Sequence, residues 1–250
     1  MRIKNLFIIA VSILFLVSCQ SSHSVKSYTW ERIAVDSSYD EMDDLSATEA
    51  ISKYKDLVEP LQEIIGYSAD EYDKERPESG LSNFAADVIK NQSEKIFGKK
   101  MDLAMTNFGG IRTSLPKGAV RVYDIYSIFP FDNALVYVEI LGSDLLKFFD
   151  KLASRNNPEA LSGVKLVVEN RSIKEFLIGG KKVDKNRIYN FATIDFLLEG
   201  GDGIQLIDIA QTIHHSETYL RDAVIDEIRM MAEREKPFKL EKDSRVIVKR

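Results

Sequence analysis

The sequence predicts an α+β fold, a mixed β-sheet with flanking helices resembling no regular alternation of strand and helix. Three observations carry this expectation. Apolar residues recur at helical spacing in three long segments and cluster as short β-branched runs elsewhere. The strand-like runs follow one another, with helices before and after them. No repeat, low-complexity stretch or convincing inter-domain linker interrupts the 250 residues, of which 44% are hydrophobic and 29% charged. One domain with an N-terminal extension therefore suffices.

In chain order, Arg2 and Lys4 precede an apolar run from Leu6 to Val17, which ends at Leu16-Val17-Ser18-Cys19. The run is too short for a comfortable membrane span and has the basic start of an export signal. It resembles a bacterial lipoprotein signal with its lipobox. That resemblance implies acylation of Cys19, anchoring to a membrane by several acyl chains, and residence in the bacterial cell envelope as a periplasmic or outer-membrane lipoprotein. Cys19 is the only cysteine, so no intramolecular disulfide is possible. We take residues 1–18 as signal peptide, 19–64 as tether and N-terminal extension, and 65–250 as the folded domain.

Residues 20–27, with four serines, read as a flexible tether. Tyr28 to Val35 is expected to form a short strand, and Asp40 to Asp44 an acidic, solvated loop. From Ala47 to Ile65, the apolar positions Ile51, Tyr54, Leu57, Val58, Leu61 and Ile65 have helical spacing, with Pro60 expected to kink or divide the helix. Ile65 to Tyr72 is extended. Leu81, Phe84, Ala85, Val88, Ile89 and Ile96 stripe the next helix, for which Gly98 is a natural stop.

A buried strand is expected from Met101 to Thr106 and another from Ala134 to Leu141, where Ser143 caps a helix over Asp144 to Ala153. Val164 to Val168, Glu175 to Ile178 and Ile188 to Ile194 are further strands, with Gly179-Gly180 as a hairpin turn. Leu220, Val224, Ile228 and Met231 place a late helix against the core before Pro237, and Arg245 to Val248 closes the chain as a strand.

Loss of residues 1–18 removes two basic side chains and leaves 32 Lys+Arg against 39 Asp+Glu, a net charge of −7. Non-specific nucleic-acid binding is excluded on that balance, and any anionic ligand must be met by a few placed arginines. Three stretches offer such chemistry: Asn107-Phe108-Gly109-Gly110-Ile111-Arg112, Phe129-Pro130-Phe131-Asp132-Asn133 and Phe196-Leu197-Leu198-Glu199-Gly200-Gly201-Asp202-Gly203. Gly109 and Gly110 permit positive φ and close approach of backbone N–H donors to an anion. Arg112 offers a planar fork for phosphate, and Asn107 an amide donor. Taken alone, this pattern is more readily a tight turn with a surface arginine, and Phe131 is more often a core residue. Phe131 and Asn133, two apart, share a face in an extended segment.

The three stretches, in this order, resemble the substrate-binding C-terminal domain of the 5'-nucleotidase family over about residues 65–250. The resemblance implies that Asn107 and Arg112 bind phosphate together with the Gly109-Gly110 backbone. It implies that Phe131 and Phe196 clamp the base, that Asn133 contacts the base and that Asp202 holds the ribose hydroxyls. The family's further arginine, ahead of the helix that starts near Leu81, is matched most nearly by Arg76, although a solvated loop arginine is an equal reading of that residue. Two departures stand out. Phe108 replaces a small residue and is expected to narrow the phosphate pocket, and Ile204 replaces an aromatic residue at the rim. A base stacked on two phenyl rings gains about 1–3 kcal/mol per contact. Each arginine hydrogen bond adds about 1.5–3 kcal/mol before ordering costs, which suits micromolar to millimolar affinity.

The family's hydrolytic half holds two metal ions through Asp, His and Asn. This chain has only His23, His214 and His215, and adjacent strand residues such as the last two face opposite ways. No Asp-x-His, Gly-Asn-His or Gly-His-x-His occurs, nor a Gly-x-Ser-x-Gly elbow or a Walker loop. The expectation is a chain that binds no cofactor and recognises a nucleotide or nucleoside phosphate. Divalent metals and hydrolysis would come from a separate metallophosphatase that this domain meets in trans. The alternatives are a non-catalytic nucleotide-binding envelope lipoprotein and a structural protein with an empty inherited pocket.

Overall fold

A computed structural model describes residues 24–33, 45–155, 158–234 and 237–249, with backbone alone for 45–47. Cys19, His23 and the acidic cluster at 40–44 lie outside the described residues. The chain divides into two compact units, residues 1–52 and 53–250. In the first, residues 24–33 are irregular and exposed, so the described part of the expected strand at Tyr28 is not one. Tyr28, Trp30 and Ile33 find no burial to reward extension. Helix α1 (Leu45–Ser52) completes that unit's described structure.

The second unit starts with a single helical turn, α2 (Lys55–Val58), and a 3-10 turn at Glu59–Gln62 with Pro60 in its first positions. The helix expected over Ala47 to Ile65 is divided, as Pro60 suggested, and it is shorter than its spacing implies. Proline has no N–H to continue the ladder, and Tyr54, Leu57 and Val58 are exposed despite their helical spacing. Strand β1 (Ile64–Ser68) follows, then α3 (Gly80–Phe97). Ser79 and Ser82 form a reciprocal capping box at the start of α3, and Gly98 ends it in the left-handed conformation at φ 61°.

The central sheet is built from β2 (Leu103–Thr106), β4 (Ala134–Leu141), β5 (Ala160–Ser162), β9 (Ile188–Ile194) and β10 (Ala210–Tyr219), in the order β10-β4-β9-β2-β5. Between them in sequence lie β3 (Gly118–Arg121), which pairs with β1, and helices α4 (Val122–Ile128) and α5 (Gly142–Ser154). A second sheet holds β6 (Val164–Glu169), β7 (Ser172–Ile178), β8 (Lys181–Lys182) and the C-terminal β11 (Val246–Lys249), ordered β11-β6-β7-β8. Gly179 and Gly180, at φ 57° and 75°, make the two-residue hairpin between β7 and β8. Helix α6 is the turn Asp195–Leu198, and α7 spans Leu220–Arg234 with Leu220, Val224 and Ile228 buried.

The core is mainly apolar where α3 covers β2 and β5, although Ser82, Asn83, Ser93, Thr106 and Ser162 are buried in that layer, and α5 bridges the two sheets. Phe149 of α5 stacks at 4.3 Å on Phe176 of β7 and lies 6.3 Å from Phe191 of β9. Ser143 does not cap α5. The helix starts at Gly142, two residues before the expected start, and the Gly142 and Ser143 N–H groups donate to the carbonyls of Arg187 and Lys185. Glycine is required at 142 because a side chain would overlap the Asp184 carbonyl.

Candidate functional site

Sheet register gathers the three sequence stretches at one end of the molecule. β2 and β9 run parallel, with Leu103 opposite Phe191, so the turns that leave both strands emerge side by side. β4 is antiparallel to β9, with Leu135 opposite Ile194, which brings the segment entering β4 to the same end. Asn107 follows β2, Phe196 and Asp202 follow β9, and Phe131 and Asn133 precede β4.

Asn107, Gly109, Gly110, Arg112, Phe131, Asn133, Phe196 and Asp202 line one open cavity of about 220 Å³. Phe131 is 46% and Phe196 42% exposed, unusual for large apolar side chains whose neighbours Phe129, Leu197 and Leu198 are buried. Arg112 is the cavity's cation. Its guanidinium carbon lies 5.9 Å from the Phe131 ring centre, and Nη1 donates to the Gly109 carbonyl. Asp202 is its anion.

Asn107 is buried and donates from Nδ2 to Asp202 Oδ2 at 2.6 Å. Among the described residues its Oδ1 has no hydrogen-bond partner. A buried acceptor left so costs about 1–3 kcal/mol, which a donor on a bound molecule would recover. The two glycines of the Asn107 turn serve space and not positive φ, since neither is among the left-handed residues. A side chain at Gly110 would stand 2.8 Å from Asn107 Oδ1, and one at Gly109 3.2 Å from both Asn107 Nδ2 and Asp202 Oδ2.

The turn carrying Asp202 does need left-handed backbone: Gly200, Asp202 and Gly203 have φ 110°, 53° and 67°. Two contacts hold it. Gly201 packs so closely under the Phe196 ring that any side chain would overlap it. Arg155, at the end of α5, donates from Nη1 to the Asp202 carbonyl at 3.0 Å and from Nη2 to the Gly203 carbonyl at 2.6 Å.

The segment entering β4 is fixed by the start of α7. Leu220 N–H donates to the Asn133 carbonyl at 2.9 Å, and Arg221 pairs with Asp132. Arg221 also lies over the rings of Tyr126 and Tyr219, at 4.7 and 5.3 Å. Burial pulls its pKa down, but the hydrogen bond and charge of Asp132 outweigh that and hold it above the ordinary arginine value. Neither Arg155 nor Arg221 is legible as a site residue in sequence, because each acts on backbone or loop contacts far along the chain.

Arg76 does not line the cavity. Its guanidinium sits 4.3 Å from the Phe108 ring centre, donates to the Pro158 carbonyl at 2.6 Å and pairs with Glu159 at 3.4 Å. Glu159 in turn accepts from the Phe108 N–H at 2.7 Å. Phe108 is buried against Ala86 and Ala160 and does not narrow the cavity. Ile204 is buried too, and lines a different cavity behind the Asp202 turn. Among the described residues, no three His, Cys, Asp or Glu side chains are placed to hold a metal ion. His214 stacks on Tyr137 at 4.3 Å, and His215 is exposed.

The family model for the 5'-nucleotidase C-terminal domain matches residues 60–209. Among curated proteins, the chain is 30% identical over 142 residues to Protein UshA of Yersinia enterocolitica, covering 55% of this chain and 25% of that protein. It is 30% identical over 108 residues to a 5'-nucleotidase of Vibrio vulnificus, covering 42% and 20%. The chain thus matches a quarter or less of the length of these relatives. The solved 5'-nucleotidase precursor of Thermus thermophilus superposes with a TM-score of 0.70 at 22% identity, over 82% of this chain and 43% of that one.

Proposed function

Because the chain belongs to the 5'-nucleotidase C-terminal domain family, we propose that it is the nucleotide-recognition component of a split 5'-nucleotidase. The convergence of Arg112, Asn107, Asp202 and two exposed phenyl rings on one cavity supports this reading above all else. A nucleoside monophosphate needs a cation for its phosphate, hydroxyl partners for its ribose and flat apolar faces for its base. Arg112 and the Asn107-Gly109-Gly110 turn supply the first, and Asp202 with the unpartnered Asn107 Oδ1 supplies the second. Phe131 and Phe196 supply the third, with Asn133 beside them to contact the base. Stacking accepts any base, so discrimination rests on Asn133.

The described residues do not fit the metal pair of the family's hydrolytic half, and no step of hydrolysis is assigned to them. In this proposal a separate metallophosphatase chain supplies the divalent metals, and the nucleotide is presented to it by docking in trans. The same proposal includes a lipid anchor at Cys19 and an envelope location.

The test mixes this chain with a metallophosphatase, AMP and divalent metal, and measures phosphate release. A rate well above that of the metallophosphatase alone, lost with Arg112→Ala, is expected. No gain in rate overturns the split-enzyme reading. AMP binding without any gain leaves the non-catalytic binding protein in its place.

A further inference from the structure

The turn that carries Asp202 has a cavity on each side. Behind it, away from the phenyl rings, a second cavity of about 220 Å³ opens between α5 and residues 203–209. Its floor is apolar: Leu152 and Ile204 are buried, and Phe148 and Ile209 are partly buried against the core. An apolar cavity of about 150 Å³ takes up benzene, so this one has room for a ring-sized body and a small head group.

The head group's charge follows from the walls. Lys147, Lys151 and Arg155 are spaced four apart on α5 and present one cationic face to the cavity. Two carboxylates also line it. Asp144 is engaged by Lys147 at 2.9 Å, and Asp208 accepts from Gln205 at 3.3 Å. Gln205 is neutral, so Asp208 keeps its charge, and three cations against two carboxylates leave one net positive charge, carried on the Lys151 and Arg155 side of the cavity. Arg155 has five N–H donors, of which two point to the Asp202 and Gly203 carbonyls. The others remain for an anion.

We infer that this cavity is an accessory site for a compact amphiphilic anion, a ring-sized apolar body bearing one carboxylate or phosphate group. Occupancy fixes the Arg155 guanidinium in the position from which it holds the Asp202 turn. Since Asp202 also lines the cavity of the phenyl rings, the bound anion tightens that turn and raises nucleotide affinity. The second part rests on the nucleotide reading above; the site itself does not.

Benzoate serves as the probe, followed by methyl resonances of Leu152, Ile204 and Ile209 in the full chain. The same titration in the Phe131→Ala/Phe196→Ala variant excludes binding between the phenyl rings, and benzyl alcohol is the neutral control. We expect saturable shifts of these methyls in both proteins, weaker binding of benzyl alcohol, and benzoate affinity about twofold to fivefold lower in Lys151→Gln, as for an exposed charge pair. Shifts that fail to saturate, or equal affinity in Lys151→Gln, overturn the site. Saturating benzoate should raise AMP affinity about fivefold, within the usual range of coupling. An unchanged AMP affinity overturns the coupling alone, while failure of AMP to bind overturns the nucleotide reading and leaves the benzoate result standing.

Discussion

Asn107 and Asp202, 95 positions apart, are joined by a 2.6 Å hydrogen bond from Nδ2 to Oδ2. The bond ties the turn after β2 to the turn after β9, two of the three segments that line the cavity. Asp202→Ala is expected to lower adenosine and AMP affinity by about tenfold, the worth of one hydrogen bond to a charged group. Asn107→Asp should cost more, because it places a second carboxylate against the first. Titration calorimetry with adenosine, AMP and phosphate separates the two effects. Equal affinities in all three proteins would remove this pair from the site.

Gly201 offers a test of the clamp that leaves both phenyl rings in the sequence. Its φ is not left-handed, so alanine there carries no backbone penalty, yet the added methyl would overlap the Phe196 ring. That ring is 42% exposed and free to swing outward. Gly201→Ala should therefore weaken AMP binding about as much as Phe196→Ala, roughly fivefold to a hundredfold for one lost stacking face. Thermal unfolding should scarcely change. Wild-type affinity in Gly201→Ala would show that Phe196 does not stack on the ligand.

The sequence made the strands and the long helices legible where local chemistry and burial agree. Ala134 to Leu141 is rich in strand formers and becomes β4 with the same ends. Gly98 and the Gly179-Gly180 pair act through positive φ, which only the backbone decides. The segment from Tyr54 to Val58 shows the opposite case: helical spacing without a surface to cover it gives one turn and not a long helix. In the candidate site, residue types in three stretches named the lining, but the partners that hold it were hidden. Arg155 and Arg221 reach loops 47 and 89 positions away, a relation set by the sheet register and by no local pattern.

Arg245 holds two carboxylates at the edge of the second sheet. It meets Asp87 through both terminal nitrogens at 2.6 and 3.0 Å, and Asp243 through Nε and Nη2 at 2.8 Å each. The hydrogen bond from Arg245 holds the Asp243 carboxyl below its ordinary value of 3.8, against the opposing effect of burial. A carboxylate depressed by folding stabilises the folded chain above its unfolded pKa, and that contribution is lost as pH falls through the lower folded value. Arg245 stays charged throughout. The melting temperature should thus fall as pH drops below about 4, and Asp243→Asn should be less stable at neutral pH with a shallower acid limb. A parallel acid limb in the variant would assign the acid loss to other groups.

Arg76 and Arg112 are both phosphate candidates in sequence, but only Arg112 lines the cavity, and their surroundings predict different behaviour. Arg112 is exposed and lines the cavity, with one hydrogen bond to a carbonyl of its own turn. Arg76 is packed on Phe108 and bound to Pro158 and Glu159, a carboxylate 8% exposed that would lose its cation. Arg112→Ala should leave thermal unfolding unchanged, lower AMP affinity about tenfold and spare adenosine, since only the phosphate contact is lost. Arg76→Ala should destabilise the fold by about 1–3 kcal/mol, the cost of a buried group left without its partner. Because Glu159 also orders the Phe108 N–H next to Asn107, Arg76→Ala should weaken AMP and adenosine together. A loss confined to AMP at unchanged stability would instead place the Arg76 guanidinium on the phosphate.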